Sequence, residues 1–331
     1  MLGMIFAGFI TASIPNANEW QITEKGNEKK LTWENSIAEM AQNNLTHYSK
    51  AELETDWRLN DYFPLIYIIN LPQAEKRLKR SLQEFYSIGT KTIHVFPAID
   101  GSKDVPTSTW KKFHSRLHDI DSSCPEQFDR LHQRQAGCYM SHYKLVQKVN
   151  EAFEGALKQL KVAEISKDLN AIREANQTVQ KYSKVLICED DIGFGYLNTA
   201  DYTIFKKRVG ESFTKALTKL PSNWDILYFI VNPTNPTKKI SHRIRKINTS
   251  WCFCAYALHH TMYKPFLEHL KKIEESDVVK VLPVDSEISE IQHLHHVYAI
   301  SPSIVYSFGG ESQITGKTWF PWQGQPKYPQ D

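Results

Sequence analysis

An apolar run, Val185-Leu186-Ile187-Cys188, ends in three successive acids, Glu189-Asp190-Asp191. A short stretch this free of polar groups predicts a strand buried on both faces, and that requires a sheet covered by helices on both sides. The acids then stand at the carboxyl end of the strand, where open α/β sheets bind their ligands. Adjacent carboxylates repel one another unless a cation sits among them, so a hard divalent ion with oxygen ligands is their natural partner. If the strand continues, Glu189 and Asp191 share a face and Asp190 opposes them; if the chain turns at Asp190, all three can converge. The competing reading is a solvated acidic turn after a core strand.

The rest of the chain supplies the expected sheet. Leu65 to Leu71 predicts a buried strand, followed by a turn at Pro72-Gln73 and an amphipathic helix through Leu78, Leu82 and Phe85. Thr92 to Ile99 follows as a second strand, closed by Asp100-Gly101. Strand, helix, strand in this order is a βαβ unit with a parallel pair. The polar, His-rich stretch from Gly101 to Gln135 reads as a loop with short helices, and a helix is expected from Ser141, lined by Leu145, Val146, Val149, Phe153, Leu157 and Leu160. Lys161 to Lys181 keeps a thin apolar stripe at Leu169, Ile172 and Val179 and predicts an inserted helical hairpin, about 155–181. Further strands are expected at Trp224 to Val231, at Phe253 to Leu258 and as a short pair in His296 to Ser307, with helices at Phe205 to Leu220 and Met262 to Ile273. Leu31 to Asn60 has helical spacing and reads as an extension beside the main domain. The domain organisation expected is therefore 1–60 apolar segment and helical extension, 61–315 main α/β domain, and 316–331 tail.

Composition narrows the function classes. Lys plus Arg exceed Asp plus Glu by three (40 against 37), with no long basic run, so nucleic-acid binding gains no support while small anionic substrates fit. The five cysteines, Cys124, Cys138, Cys188, Cys252 and Cys254, are odd in number and form no CxxC pair, which favours reduced thiols over a disulfide framework. Cys138 and Cys188 sit in apolar contexts and read as core residues. Leu2 to Ile14 is long enough for a signal-peptide apolar region, too short to span a bilayer, and has no basic residue before it. A cytoplasmic location at the inner face of the membrane is expected, with export left open by this segment.

Five separated motifs, in order, resemble glycosyltransferase family 25, the lipooligosaccharide and collagen galactosyltransferase group. They are Ile69-Asn70-Leu71 with Arg77, Phe96-Pro97-Ala98-Ile99-Asp100-Gly101, Gly137-Cys138-Tyr139-Met140-Ser141-His142, Glu189-Asp190-Asp191, and Leu282-Pro283-Val284-Asp285. Trp224 to Tyr228 and Ala255 to Leu258 agree more weakly, and the resemblance spans about Leu65 to Gln313. It implies a GT-A-type, Rossmann-like mixed sheet flanked by helices, and an inverting, metal-dependent hexosyltransferase. UDP-galactose as donor, Mn2+ or Mg2+ as cofactor, and a bacterial cell-envelope acceptor such as lipopolysaccharide core are what the resemblance suggests. The hairpin and the helical arm before Leu65 depart from the pattern and leave acceptor choice, oligomerisation and docking at the membrane surface open.

The expected roles follow from chemistry and resemblance together. Glu189 and Asp191 are expected to hold the metal, with Asp190 beside them at the nucleotide sugar. Asn70 can offer its amide to a base or ribose, and Arg77 can meet a phosphate or an internal acid, or stand exposed among Lys76, Lys79 and Arg80. Ser141 is expected at a helix start, as a cap or an anion contact, with His142 against a substrate phosphate or sugar or simply satisfied beneath the sheet. Gly137 is expected to allow close backbone approach. Asp285 is the expected catalytic base, with helix capping as its competing role, and Glu287 is the second choice. Asp225 reads as structural. His293, His295 and His296 cluster without fixed spacing; one of them could complete the metal shell, or all are surface residues. Two other readings compete: a catalytically inactive glycan- or nucleotide-binding homologue, including a secreted effector, and a metal-dependent nucleotidyltransferase, which the absence of Gly between Asn70 and Arg77 disfavours.

Overall fold

The computed structural model describes residues 10–13, 59–114, 125–195, 202–233, 235, 237–275, 280–311 and 318–319. Of the expected N-terminal helical extension, only the turn of helix at Leu59–Tyr62 reaches into the described residues. Most of the expected tail lies outside them too.

The strands are β1 (Ile10–Ser13), β2 (Leu65–Asn70), β3 (Thr92–Pro97), β4 (Lys184–Glu189), β5 (Ile192–Phe194), β6 (Ile226–Tyr228), β7 (Lys238–Lys239), β8 (Ile244–Lys246), β9 (Ala255–His259), β10 (Val297–Ile300) and β11 (Val305–Ser307). The helices are α1 (Glu75–Ser87), α2 (Pro125–Ser166), α3 (Leu169–Tyr182), α4 (Tyr202–Leu217), α5 (His260–Leu270) and α6 (Val284–Ser289). Nine strands form one mixed sheet in the order β1-β3-β2-β4-β9-β6-β10-β8-β7. Strands β3, β2 and β4 run parallel, as the βαβ reading requires, and β9 runs antiparallel between β4 and β6.

Burial on both faces explains the sequence of β2, in which every residue is buried. Ile66 and Ile68 face a core layer completed by Leu82 and Phe85 of α1 and by Phe213 of α4. Leu65, Tyr67 and Ile69 face the opposite layer, filled by Tyr139, Val146 and Phe153 of α2 and by Met262 and Phe266 of α5. The molecule is thus a Rossmann-like α/β fold with helices on both sides of the sheet.

Two elements differ from expectation. Helix α2 begins at Pro125, sixteen residues before Ser141. Pro at a first helical position followed by Glu126 is a helix start, since the missing N–H costs nothing there and the acid suits the helix's positive end. In the α2–α3 hairpin, Leu169 is 81 % exposed rather than part of an apolar stripe, and the small residues Ala163 and Ala175 are buried. Ile172 and Val179 stay half-buried, Val179 against the core, while Leu169 leaves the stripe because it falls at the turn, where Asp168 caps α3 by accepting from the N–H groups of Asn170 and Ala171. Among the described residues, no helix is long and apolar enough to cross a membrane.

One buried group makes the fold sensitive to acid. His94 of β3 pairs in register with Tyr67 of β2, their rings 5.0 Å apart. Burial, with Lys181 and Lys148 adding to it, pushes the imidazole down to about 4. The unfolded chain takes up the proton near the ordinary value of 6.5 and the folded chain does not, so stability is lost as pH falls through that window. At about 1.4 kcal/mol per pKa unit the loss reaches roughly 3 kcal/mol. Urea midpoints measured from pH 7 to 4 should fall less steeply for His94→Phe than for the wild type; equal slopes would remove His94 as the cause.

Candidate active site

At the end of β4 the chain turns through Asp190 and Asp191 before entering β5, and the turn sends the three carboxylates to different partners. In the parallel register Ile69 of β2 lies opposite Glu189, so Asn70 stands next to Asp190. Asn70 Nδ2 donates to Asp190 Oδ2 at 2.6 Å and to the Ala74 carbonyl at 3.2 Å. From α1, Arg77 Nη2 lies 2.5 Å from Asp190 Oδ1 and 3.5 Å from Asp191 Oδ2. Of the roles open to Arg77, the internal acid is therefore the one realised, and Asn70 spends its amide donors inside the protein. Burial raises the Asp190 carboxyl against the opposing pull of Arg77 and Asn70. Asp190 is a brace that fixes the turn.

Glu189 and Asp191 face a different environment. His142 Nε2 lies 3.7 Å from Glu189 Oε1, while its Nδ1 shares a 2.8 Å hydrogen bond with the Tyr256 hydroxyl. Burial works to raise the Glu189 carboxyl, but His142, Arg77 and the Cys254 thiol outweigh it and hold the group below the ordinary carboxylate range. Asp191 Oδ2 accepts a hydrogen bond from Ser307 Oγ at 3.1 Å, whereas Oδ1 is buried without a hydrogen-bond partner among the described residues. Burial first, then the neighbouring Glu189, pushes Asp191 up to about 6. A buried carboxylate oxygen with no donor, beside a second ionised carboxylate, is a donor set that fits a hard divalent ion.

The Gly137 to His142 motif lies inside α2, so Ser141 does not cap a helix. Its hydroxyl donates to the Gly137 carbonyl at 2.6 Å and accepts from the Ile99 N–H at 2.8 Å, tying the loop after β3 to the helix. Gly137 permits that approach: a Cβ there would stand 2.5 Å from the Ile99 carbonyl oxygen. Gly101 faces the same interface, where a Cβ would stand 1.6 Å from the Gln133 oxygen. Thus the second and third motifs of the resemblance are two sides of one backbone contact. His142 is almost fully buried and reaches the site only through Glu189.

Asp285 enters from α6. Its Oδ2 accepts from the Cys252 N–H at 3.2 Å and its Oδ1 from the Ser286 N–H at 2.7 Å. Pro283, not Asp285, holds the N-cap position. Burial raises the Asp285 carboxyl, and Glu189 raises it further against the two backbone hydrogen bonds and His142. Glu287, the second choice for a base, is 1 % exposed, pairs with Lys272 and with His269 at 3.3 Å, and accepts from the Leu282 N–H at 2.6 Å. Both its oxygens are engaged in holding α6.

The histidine cluster belongs to the other edge of the sheet. Leu258 of β9 pairs with Val185 at the start of β4 and with Ile226 of β6, so Asp225 and its neighbours sit at the end opposite Glu189. There Asp225 accepts from Thr261 Oγ1 at 2.5 Å and from the His296 N–H at 2.9 Å, with His295 Nδ1 at 3.7 Å. Asp225 is structural, as expected, and His295 and His296 lie at this end of the strands, away from Glu189.

Sequence reasoning missed Cys138 and Cys254. Cys188 is a core residue, but Cys138 turns its Sγ toward Glu189 Oε1, 4.0 Å away. The signal was the four-residue spacing from Cys138 to His142, which places both on one helix face only once α2 is known to start before them. Cys252 has φ 93°, a left-handed conformation rare for a residue with a side chain.

With that geometry in hand, residues 63–157 match the family model described as glycosyltransferase family 25 (LPS biosynthesis protein). The match covers β2, α1, β3 and most of α2, and so includes Asn70, Arg77, Gly137, Ser141 and His142. No curated protein matches the chain.

Proposed function

We propose that this chain, whose residues 63–157 match the model of glycosyltransferase family 25, transfers a hexose from a nucleotide sugar to a hydroxyl of a cell-envelope glycan in lipopolysaccharide biosynthesis. UDP-galactose is the favoured donor, lipopolysaccharide core the favoured acceptor, inversion the favoured outcome and GT-A the favoured subclass of the fold. The observation that carries the reading is Asp191 Oδ1, a buried oxygen left without a donor beside ionised Glu189 at the carboxyl edge of the sheet.

Mn2+ or Mg2+ held by Glu189 and Asp191 would supply charge neutralisation at the departing diphosphate. The remaining chemistry falls to the protein's own groups. Arg77 and Asn70 hold Asp190, and with it the turn that aims Asp191. His142, oriented by Tyr256, keeps Glu189 ionised. Asp285, with its carboxyl raised, takes the proton from the acceptor hydroxyl as that oxygen attacks the anomeric carbon; the nucleoside diphosphate leaves from the opposite face. Two carboxylates with pKa values pushed apart, Glu189 down and Asp285 up, suit a split into a permanent anion and a working base.

The test is nucleotide release from a panel of nucleotide sugars with and without Mn2+. One UDP-hexose should stand out, with release dependent on the metal. A flat panel, or pyrophosphate from UTP in place of UDP from the sugar, would overturn the reading.

A further inference from the structure

We propose that Cys138, His142 and Glu189 form a binding site for a thiophilic divalent ion of the Zn2+ class, overlapping the hard-ion site at a single residue. Cys138 and His142 are one helical turn apart on α2 and project toward the same oxygen, Glu189 Oε1. Their ligand atoms all lie within 4.8 Å of one another, with Sγ to Oε1 at 4.0 Å and Nε2 to Oε1 at 3.7 Å. Tetrahedral zinc, with bonds of about 2.3 Å to sulfur and about 2.0 Å to nitrogen or oxygen, needs ligand separations of roughly 3.3 to 3.5 Å. The two separations from Glu189 Oε1 exceed that range by only about half an ångström. Cys254, whose Sγ lies 3.3 Å from that of Cys252, stands outside this three-residue group, and the fourth tetrahedral position falls to water, as in other three-ligand zinc sites.

The surroundings are those of a ligating histidine. Its Nδ1 is held by the Tyr256 hydroxyl, which fixes the ring and leaves Nε2 aimed at the site. A thiol and an imidazole select against Mn2+ and Mg2+, which prefer oxygen, and in favour of Zn2+. A second cluster, His269 with Glu287 and Glu290, is disqualified because the Lys272 ammonium already occupies its centre.

A zinc ion at this site withdraws Glu189 from Asp191. Zn2+ therefore acts as an inhibitor that excess Mn2+ relieves poorly, a consequence resting on the glycosyl-transfer reading. Binding itself does not rest on it and is measured without donor or acceptor.

The reduced, metal-free full chain is titrated with Co2+ and then Zn2+. One equivalent of Co2+ should produce thiolate-to-metal charge-transfer absorption, which Zn2+ abolishes. Cys138→Ser should weaken Zn2+ binding at least about tenfold. Independently of any variant, Zn2+ should shield Cys138 of the wild type from iodoacetamide, read by peptide mass spectrometry. Absence of the thiolate band, or full alkylation of Cys138 at saturating Zn2+, would overturn the site. So would zinc binding that survives Cys138→Ser and is lost on replacing His293, His295 and His296.

Discussion

Replacing Asp191 with Asn should abolish metal-dependent nucleotide release, by about 10²- to 10³-fold or more, and leave the protein at least as stable as the wild type. The loss is of the size seen when a group that stabilises charge on a leaving group is removed. The unusual half of the expectation concerns stability, because truncating a buried charged residue ordinarily destabilises. Here the carboxylate is itself the unfavourable party. Burial and Glu189 push Asp191 up to about 6 from its ordinary 3.8, so in the cation-free protein ionisation works against the fold. At about 1.4 kcal/mol per unit, the relief on neutralising it is at most roughly 3 kcal/mol. Losing the 3.5 Å contact with Arg77 offsets part of that gain, while the amide oxygen can still accept from Ser307. The pH dependence has a definite sign. Between 3.8 and 6 the folded chain holds a proton that the unfolded chain has lost, so Asp191 makes the cation-free protein less stable as pH rises through that window. Asp191→Asn should remove that slope, and saturating Mn2+ should remove it from the wild type. A variant that loses activity and also melts well below the wild type would mean that Asp191 is structural. One that keeps its donor affinity and had no turnover to lose would point to a binding module.

Much of this was legible in the sequence because it depended on local pattern. Runs such as Leu65 to Asn70 and Val185 to Cys188 are apolar at every position, and a strand buried on both faces is the only element that uses them fully. The acids after Cys188 fixed which edge of the sheet carries the site. What the pattern could not show was how the acids divide. Whether Asp190 joins Glu189 and Asp191 or leaves them depends on Asn70, 120 residues away, and on the parallel register that seats the two side by side. The start of α2 was misplaced for a related reason: Gly101 to Gln135 looks like loop by composition, and Ser141 looks like a helix cap. Gly137 is tolerated within α2 because only a residue without Cβ lets the Ile99 carbonyl and Gly101 pack against the helix. The same error hid Cys138, since a residue outside the helix has no face to share with His142.

The histidines teach the opposite lesson. His293, His295 and His296 attract attention as a cluster, yet three hydrogen-bonded strands hold His295 and His296 beside Asp225, at the end of the sheet away from Glu189. His142, a single buried imidazole singled out only by its motif, is the one that lies against Glu189. Register, rather than composition, separates them.

Asp285→Asn should lower the rate of sugar transfer by about 10²- to 10⁴-fold, the range for losing a general base, while donor and Mn2+ affinities stay near the wild-type values. That separation follows from geometry, because Asp285 comes from α6 and is held by the Cys252 and Ser286 N–H groups rather than by the acidic turn. Because burial and Glu189 raise its carboxyl, the acid limb of kcat/KM in the wild type should lie above the ordinary carboxylate range, with activity rising as pH rises and the base loses its proton. In the variant that limb should vanish. The substitution has a structural cost as well. An amide cannot accept from both backbone donors at once, so one N–H loses its partner, at about 1 to 3 kcal/mol if it stays dry. The Cys252 N–H is the more exposed to this loss, since that residue already holds a left-handed backbone. The rate measurements therefore belong well below the melting temperature, where the variant is folded. A transfer rate within a few-fold of wild type, or an acid limb that persists unchanged in Asp285→Asn, would remove Asp285 as the base. Glu287 could not replace it, because Lys272, His269 and the Leu282 N–H already hold both its oxygens.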